Sequence, residues 1–248
     1  MAESNLYYRT VKKELSAWEK QMTKKPSVTN LTAKKVQAKI HGIVPGKVQD
    51  LITGSIKSVA ETILHGSYLL TPTKTNLNPT LAQSDYLVTQ AYGAYYKMAL
   101  AQGIGFGLGG VLINLADLPT LMSIKVKFLF DCAKLYGFDV SKKSERIFML
   151  YVFQLAFCSD QRRLEIYPII KNWDDNAERA KMDWEKLQIE YRDYMDIAKL
   201  LQLLPVVGAV AGGAANHGLM KKLKVAAMNC YRLRVIAPRQ TQEAFANK

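Results

Sequence analysis

Met98-Ala-Leu-Ala-Gln-Gly-Ile-Gly-Phe-Gly-Leu-Gly-Gly110 opens a run of 27 residues, between Lys97 and Lys125, whose only charged side chain is Asp117. A second run, 21 residues between Lys199 and Lys221, has no Asp, Glu, Lys or Arg. It contains Leu204-Pro-Val-Val-Gly-Ala-Val-Ala-Gly-Gly213. Nine of the chain's 15 glycines lie in these two runs. A glycine inside a helix costs about 1 kcal/mol relative to alanine, so helices this rich in glycine need an offsetting interaction. Close approach of another backbone supplies one. Gly103 and Gly107, and likewise Gly208 and Gly212, are four residues apart and share a helix face. They are the candidate helix-contact glycines.

Working outward, the apolar positions recur every three or four residues almost throughout, and no segment alternates as a strand does. The expected fold is therefore all-α: a helical bundle with two glycine-rich apolar helical hairpins packed centrally. Residues 6–24 form a basic amphipathic helix with Tyr7, Val11, Leu15, Trp18 and Met22 on one face, stopped by Pro26. Further helices are expected over 28–41 and from Pro45 to about residue 65. The Gly- and Pro-rich stretch 66–82 reads as an irregular loop. Helix resumes near residue 84, with Ser84 or Asp85 as its cap. Asp117-Leu-Pro119 starts another helix, and Gly137 stops it. A helix over 143–157 follows. Residues 160–176 read as a charged connection, with Asp174 and Asp175 as a helix N-terminal pair. An amphipathic helix over 178–202 and a last helix to about Val235 complete the chain. One domain over 1–240 is expected: basic helices over 1–65, the loop, and a helical core with a basic tail over 83–240.

Composition bounds the function. A hydrophobic fraction of 49% and a mean hydropathy of −0.07 are too polar for a polytopic membrane protein. Met1-Ala-Glu-Ser-Asn5 leads into a charged amphipathic stretch rather than an apolar leader core. Cys132, Cys158 and Cys230 are widely spaced and fit free thiols in a reducing cytosol. The net charge of +13 is confined to the ends. Residues 1–60 hold 11 Lys/Arg against 4 Asp/Glu, residues 217–248 hold 7 against 1, and the middle is balanced. Such ends suit an anionic membrane surface, and the chain is expected at the cytoplasmic face of the cell membrane. The candidate headgroup contacts are Lys12, Lys13, Lys20, Lys24 and Lys25, with Lys221, Lys222, Lys224, Arg232 and Arg234. Nucleic acid is a poor fit, because no DNA- or RNA-binding motif accompanies the charge.

Residues 98–116 and 200–220 are long enough to cross a bilayer. Lysine flanks both ends of each, however, and Pro205 breaks the second. That pattern suits a re-entrant or surface-lying hairpin better than two crossings. A buried central pair in a soluble bundle accounts for the same glycines, and both readings stay open. Asn114, Asp117, Asn216 and His217 are the polar groups beside the apolar runs. They either cap helices and bond across the pair, or mark a polar site between the two segments.

Catalytic signatures are absent. Gly105-x-Gly107-x-x-Gly110 matches a dinucleotide-binding string, but no strand precedes it. His41, His65 and His217 show no ligand spacing, so neither a metal nor a cofactor is expected.

Several blocks together resemble the EcsC family. They are Ala101-x-Gly-x-Gly-x-Gly-x-Gly-Gly110, Leu115-Ala-Asp-Leu-Pro119, Ile124-Lys-x-Lys-Phe-Leu-Phe130 and Leu135-Tyr-Gly-Phe-Asp139. Leu204-Pro-Val-Val-Gly-Ala-x-Ala-Gly-Gly-x-x-Asn216, Cys230-Tyr-Arg-Leu-Arg234, Ala17-Trp-Glu-Lys-Gln-Met22 and Val44-Pro-x-Lys-Val48 extend the likeness over roughly 10–236. The resemblance implies a bacterial helical protein whose founding member stands beside an ATP-driven exporter, and it brings no catalytic residues. The glycine-rich "AD-L/I-P" and "P-V-V-G" turns are also similar to helical domains of some membrane-associated GTPases. The expected function is a peripheral or partly inserted membrane-associated accessory protein, with an ABC-type exporter as a further partner. The alternative is a membrane-proximal hydrolase acting on lipid or peptide near Asp117 and Asn216.

Overall fold

The computed structural model describes residues 2–25, 46–65, 79–105, 118–175 and 208–246. Among these the chain is all-α, with seven helices: α1 (Ala2–Thr23), α2 (Gly46–His65), α3 (Leu81–Gly105), α4 (Leu118–Leu135), α5 (Lys143–Phe157), α6 (Asp160–Lys171) and α7 (Gly208–Ala246). The helices expected over 28–41 and 178–202 lie outside the described residues, as does most of the 66–82 loop.

The last helix is the organising element. α7 packs along α3 and α5, and it also touches α4, α6 and α1. α2 closes the far side against α4 and α5. The core follows from periodicity. On α1, Tyr8, Val11, Leu15 and Trp18 are buried. On α3, Leu81, Asp85, Val88, Tyr95 and Ala99 are buried at spacings of three, four and seven. α4 and α5 are buried on nearly every side, from Met122 to Ala133 and from Glu145 to Phe157. Cys132, Cys158 and Cys230 are free and buried.

Helix ends are set by local chemistry. α3 starts at Leu81, three residues before the expected point, because Thr80 and Gln83 form a reciprocal capping box. Thr80 N–H donates to Gln83 Oε1 at 3.0 Å, and Gln83 N–H donates to Thr80 Oγ1 at 3.3 Å. Ser84 and Asp85 are thus not caps; both are buried. α4 ends as expected at Gly137, whose φ is +85°. Phe138 N–H donates to Ala133 O at 3.0 Å and Gly137 N–H to Lys134 O at 2.8 Å, which makes a Schellman stop.

The segment 160–176 corrects the sequence reading: α6 occupies most of it. Ser159 Oγ accepts from Arg162 N–H at 3.3 Å as the N-cap, and Ile166, Tyr167 and Ile170 face inward. Its many charges and Pro168 hide the helix. α7 likewise runs on to Ala246, eleven residues past the expected end. Among the described residues no helix is long and apolar enough to cross a membrane.

Lys125 was expected to flank the first apolar run at a polar boundary. It is instead 1% exposed inside the bundle, and burial pushes its ammonium down to about 8 from 10.5. The unfolded chain therefore binds more protons than the folded one between those values, so stability rises with pH across that window. Other groups oppose this at the alkaline end: burial pushes the Cys132 and Cys230 thiols up, which makes folding less favourable from about pH 9, and partly buried Tyr7, pushed up to about 12 mainly by burial and then by Asp85, adds to this above pH 10.

In chemical denaturation, the stability difference between wild type and Lys125→Met should move in favour of the wild type from pH 8 toward pH 10; a pH-independent difference overturns the assignment to Lys125. Gly137→Ala should lower stability by about 1–2 kcal/mol. The added Cβ meets Pro79 Cδ at an ordinary 3.7 Å, so the cost is one of backbone conformation rather than of space.

Candidate functional site

Two arginines on α7 gather most of the buried charge described. Arg232 donates from Nε and Nη2 to the Asp85 carboxylate of α3 at 2.8–3.1 Å, and from Nη1 to Glu14 of α1 at 2.9 Å. Asp85 also accepts from Tyr7 Oη at 2.6 Å and from Tyr136 Oη. One carboxylate thus joins α1, α3, the end of α4 and α7. Arg232 loses some proton affinity to burial, but its bonds to Asp85 and that residue's charge outweigh this and raise its pKa further. The Tyr136 hydroxyl is held well above its ordinary range, first by burial.

Arg234 makes the second node. It pairs with Glu145 of α5 through Nη1 at 2.6 Å and Nη2 at 2.7 Å, and with Asp174 through Nε and Nη2 at 2.6–3.0 Å. Its guanidinium carbon lies 4.0 Å from the Phe138 ring centre and 4.5 Å from that of Phe148. Tyr231 stacks on Tyr136 at 5.6 Å beside it. The sequence expectation for both arginines is therefore corrected. Arg232 and Arg234 are held in internal ion pairs and do not point to headgroups. Asp174 is an ion-pair partner of Arg234, and the helix it was expected to head lies outside the described residues.

The expected lysines fare differently. Lys13, Lys20, Lys24 and Lys25 are exposed at or just beyond α1, and Lys221 and Lys222 are exposed on α7. Lys12 is half-buried, with Nζ 4.7 Å from the Tyr8 ring centre. Lys224 is also half-buried, 4.8 Å over the ring of Tyr92. Burial, followed by the nearby Arg232 charge, lowers its pKa.

Lys221, Lys224, Val225, Met228, Asn229 and Arg232 line a surface cleft of about 380 Å³ facing Tyr92 of α3. Arg232 Nη1 lies 3.3 Å from Asn229 Oδ1, which leaves Asn229 Nδ2 as that side chain's donor. Sequence reasoning found the lysines but missed Asp85, Glu145, Tyr92 and Asn229. The spacing 221, 225, 228, 232 was a legible signal for one face of α7; the facing α3 residues had none.

Gly103 falls in α3, and Gly208 and Gly212 fall in the first turns of α7. Gly107, Asn114 and Asp117 lie outside the described residues, as do the side chains of Asn216 and His217, so the hydrolase centre expected there is not among those described. Among the described residues no group of His, Cys, Asp and Glu could hold a metal ion.

The EcsC protein family matches residues 9–236. The chain belongs to the EcsC family. It is 40% identical over 223 residues to Protein EcsC of Bacillus subtilis (strain 168), covering 90% of this chain and 94% of that protein. The Uncharacterized protein YdbA of the same strain is 32% identical over 146 residues, covering 57% of this chain and 54% of YdbA. No solved structure matches the chain. The family span from residue 9 to 236 takes in Glu14, Asp85, Glu145 and both arginines, so the two ion-pair nodes lie within the family unit.

The Asp85–Arg232 pair is 5% and 11% exposed in its side chains. Breaking such a pair leaves an uncompensated charge in a poorly solvated site. Asp85→Asn should therefore cost about 3 kcal/mol in denaturant unfolding. Adding Arg232→Met to it should cost less than the two single changes together; simple additivity would show the two groups to be uncoupled.

Proposed function

We propose that this EcsC-family chain is a peripheral membrane-associated protein that docks on anionic phospholipid through the outward face of α1. One observation carries the reading. Arg9, Lys13, Lys20 and Lys24 follow one another at intervals of four and seven, opposite the buried stripe of Tyr8, Val11, Leu15 and Trp18. Glu14 and Glu19 of the same helix are turned away from that face. Glu14 pairs with Arg232, and Glu19 pairs with Lys171 at 2.8 Å while accepting from Tyr167 Oη at 2.5 Å. Over the described side chains the outer face is thus basic and carries no carboxylate. Leu6, 69% exposed, lies on the same side near its start.

Each such cation near an anionic surface is worth about 1 kcal/mol. Lys221 and Lys222 of α7 add exposed positive charge. The helix itself is held firmly: Arg163 of α6 donates to Lys24 O at 2.9 Å and to Gln21 O, capping the last turn of α1. The glycines belong to the same proposal. Asp85 faces Arg232 and Tyr92 faces Lys224, so α3 and α7 run antiparallel. Carried to their ends, that register brings Gly103 level with Gly213, the residue after Gly212, which supports a close helix approach there. The resemblance to an exporter-linked founding member supports a membrane transporter as protein partner.

Co-sedimentation with vesicles of phosphatidylcholine and phosphatidylglycerol tests the docking face. The full chain should bind these, release in high salt, and ignore pure phosphatidylcholine. Lys13→Glu with Lys20→Glu should weaken binding at least about tenfold. Undiminished binding by that variant would sink the proposal.

A further inference from the structure

The cleft between α3 and α7 is separate from the outer face of α1, and its chemistry is more selective than a general positive charge. Its cations are not equivalent. The guanidinium of Arg232 is spoken for by Asp85 and Glu14, whose two carboxylates offset its charge. Lys221 and Lys224 remain, one helical turn apart on α7, with no carboxylate bonded to either among the described residues. Asn229 is held by Arg232 on its oxygen side, so it presents an N–H donor to the same space. Beside these donors the wall is apolar: Val225 is 42% exposed, and Met228 and the Tyr92 ring complete it. Tyr92 is itself backed by Tyr96, ring centres 6.0 Å apart, and by Phe128 at 6.2 Å, which fixes its position.

We propose that this cleft binds a phosphate ester bearing an apolar substituent, with Lys221, Lys224 and Asn229 on the phosphate and Val225, Met228 and Tyr92 against the substituent. A carboxylate is recognised best by the planar fork of an unengaged arginine, and among the described residues the one guanidinium lining this cleft is consumed. Two ammonium groups act as point charges and suit the several oxygens of a phosphate, and the amide adds a directional bond. Burial, more than the Arg232 charge, lowers the proton affinity of Lys224, with Asp85 acting the other way, so an anion bound at Lys224 offsets a desolvation cost already present. The apolar wall excludes a bare inorganic phosphate as the preferred ligand, because Val225 and Tyr92 would stay wet beside it. The phosphate can belong to a phospholipid headgroup or to a soluble ester; the donors are the same.

Isothermal titration of the full chain, without vesicles, separates these sources. The probes are dihexanoyl-phosphatidylglycerol below its micelle concentration, phenyl phosphate, inorganic phosphate and hexanoate. At least one ester should bind more tightly than both inorganic phosphate and hexanoate. A preference for the diacyl probe assigns a lipid headgroup, and a preference for phenyl phosphate assigns a soluble ester. Lys221→Gln with Lys224→Gln should weaken the preferred ester at least about tenfold, while Lys13→Glu with Lys20→Glu leaves it unchanged. Lys221→Gln alone alters an exposed side chain and keeps the test valid if the double variant unfolds. Failure of both esters to bind, equal binding of hexanoate, or indifference to the lysine changes overturns the proposal. None of these outcomes depends on whether α1 docks on a bilayer.

Discussion

Arg232 and Arg234 are two residues apart on α7, so their side chains leave the helix on nearly opposite sides. One reaches Asp85 of α3 and Glu14 of α1; the other reaches Glu145 of α5 and Asp174 beyond α6. Four segments are thereby tied to one helix by charge, and the rest of the bundle has to fit around that. A buried ion pair gives back little net free energy once both groups are stripped of water, but it is intolerant of a missing or displaced partner. Apolar contacts among Phe148, Tyr151, Val152 and their neighbours are non-directional. The bonds from Arg234 to Glu145 at 2.6 and 2.7 Å are directional. The arginines set the register that the apolar core then fills.

The same constraint explains why some elements were legible in the sequence and others were not. Local signals sufficed where the deciding interaction is local. Gly137 stops α4 through its own positive φ, and α5 runs over the expected residues because its ends are marked by charge on one side and Cys158-Ser159 on the other. α6 was missed because its capping residue, Ser159, is followed by Asp160, Gln161, Arg162 and Arg163, a string that reads as solvated loop. What makes it a helix is tertiary: Tyr167 packs on Trp18 with ring centres 5.7 Å apart, and Arg163 reaches the carbonyls at the end of α1.

The candidate site shows the same division. Basic residues near both termini were visible as a charge imbalance, but charge counting cannot say which of them are already neutralised. The two arginines of Cys230-Tyr-Arg-Leu-Arg234 look identical in sequence to the lysines that precede them. Their partners are 60 to 218 residues away, a separation that no periodicity reveals. Lys125 is the converse case: a lysine at the margin of an apolar run that reads as a boundary marker and proves to be interior.

Engaging the arginines internally is also what defines the surfaces that remain. Glu14 is paired with Arg232, and Glu19 with Lys171 and Tyr167. Holding these two carboxylates to the flanks leaves the outward side of α1, over its described side chains, with a single sign of charge. On α7, satisfying Arg232 with Asp85 leaves Lys221 and Lys224 as the cleft's uncompensated cations and turns Asn229 so that its donor is presented. A face and a cleft of quite different selectivity thus arise from one set of internal bonds. Moving either glutamate or Asp85 would alter surface electrostatics at residues it does not touch, which ties the stability of the bundle to what its surface can bind.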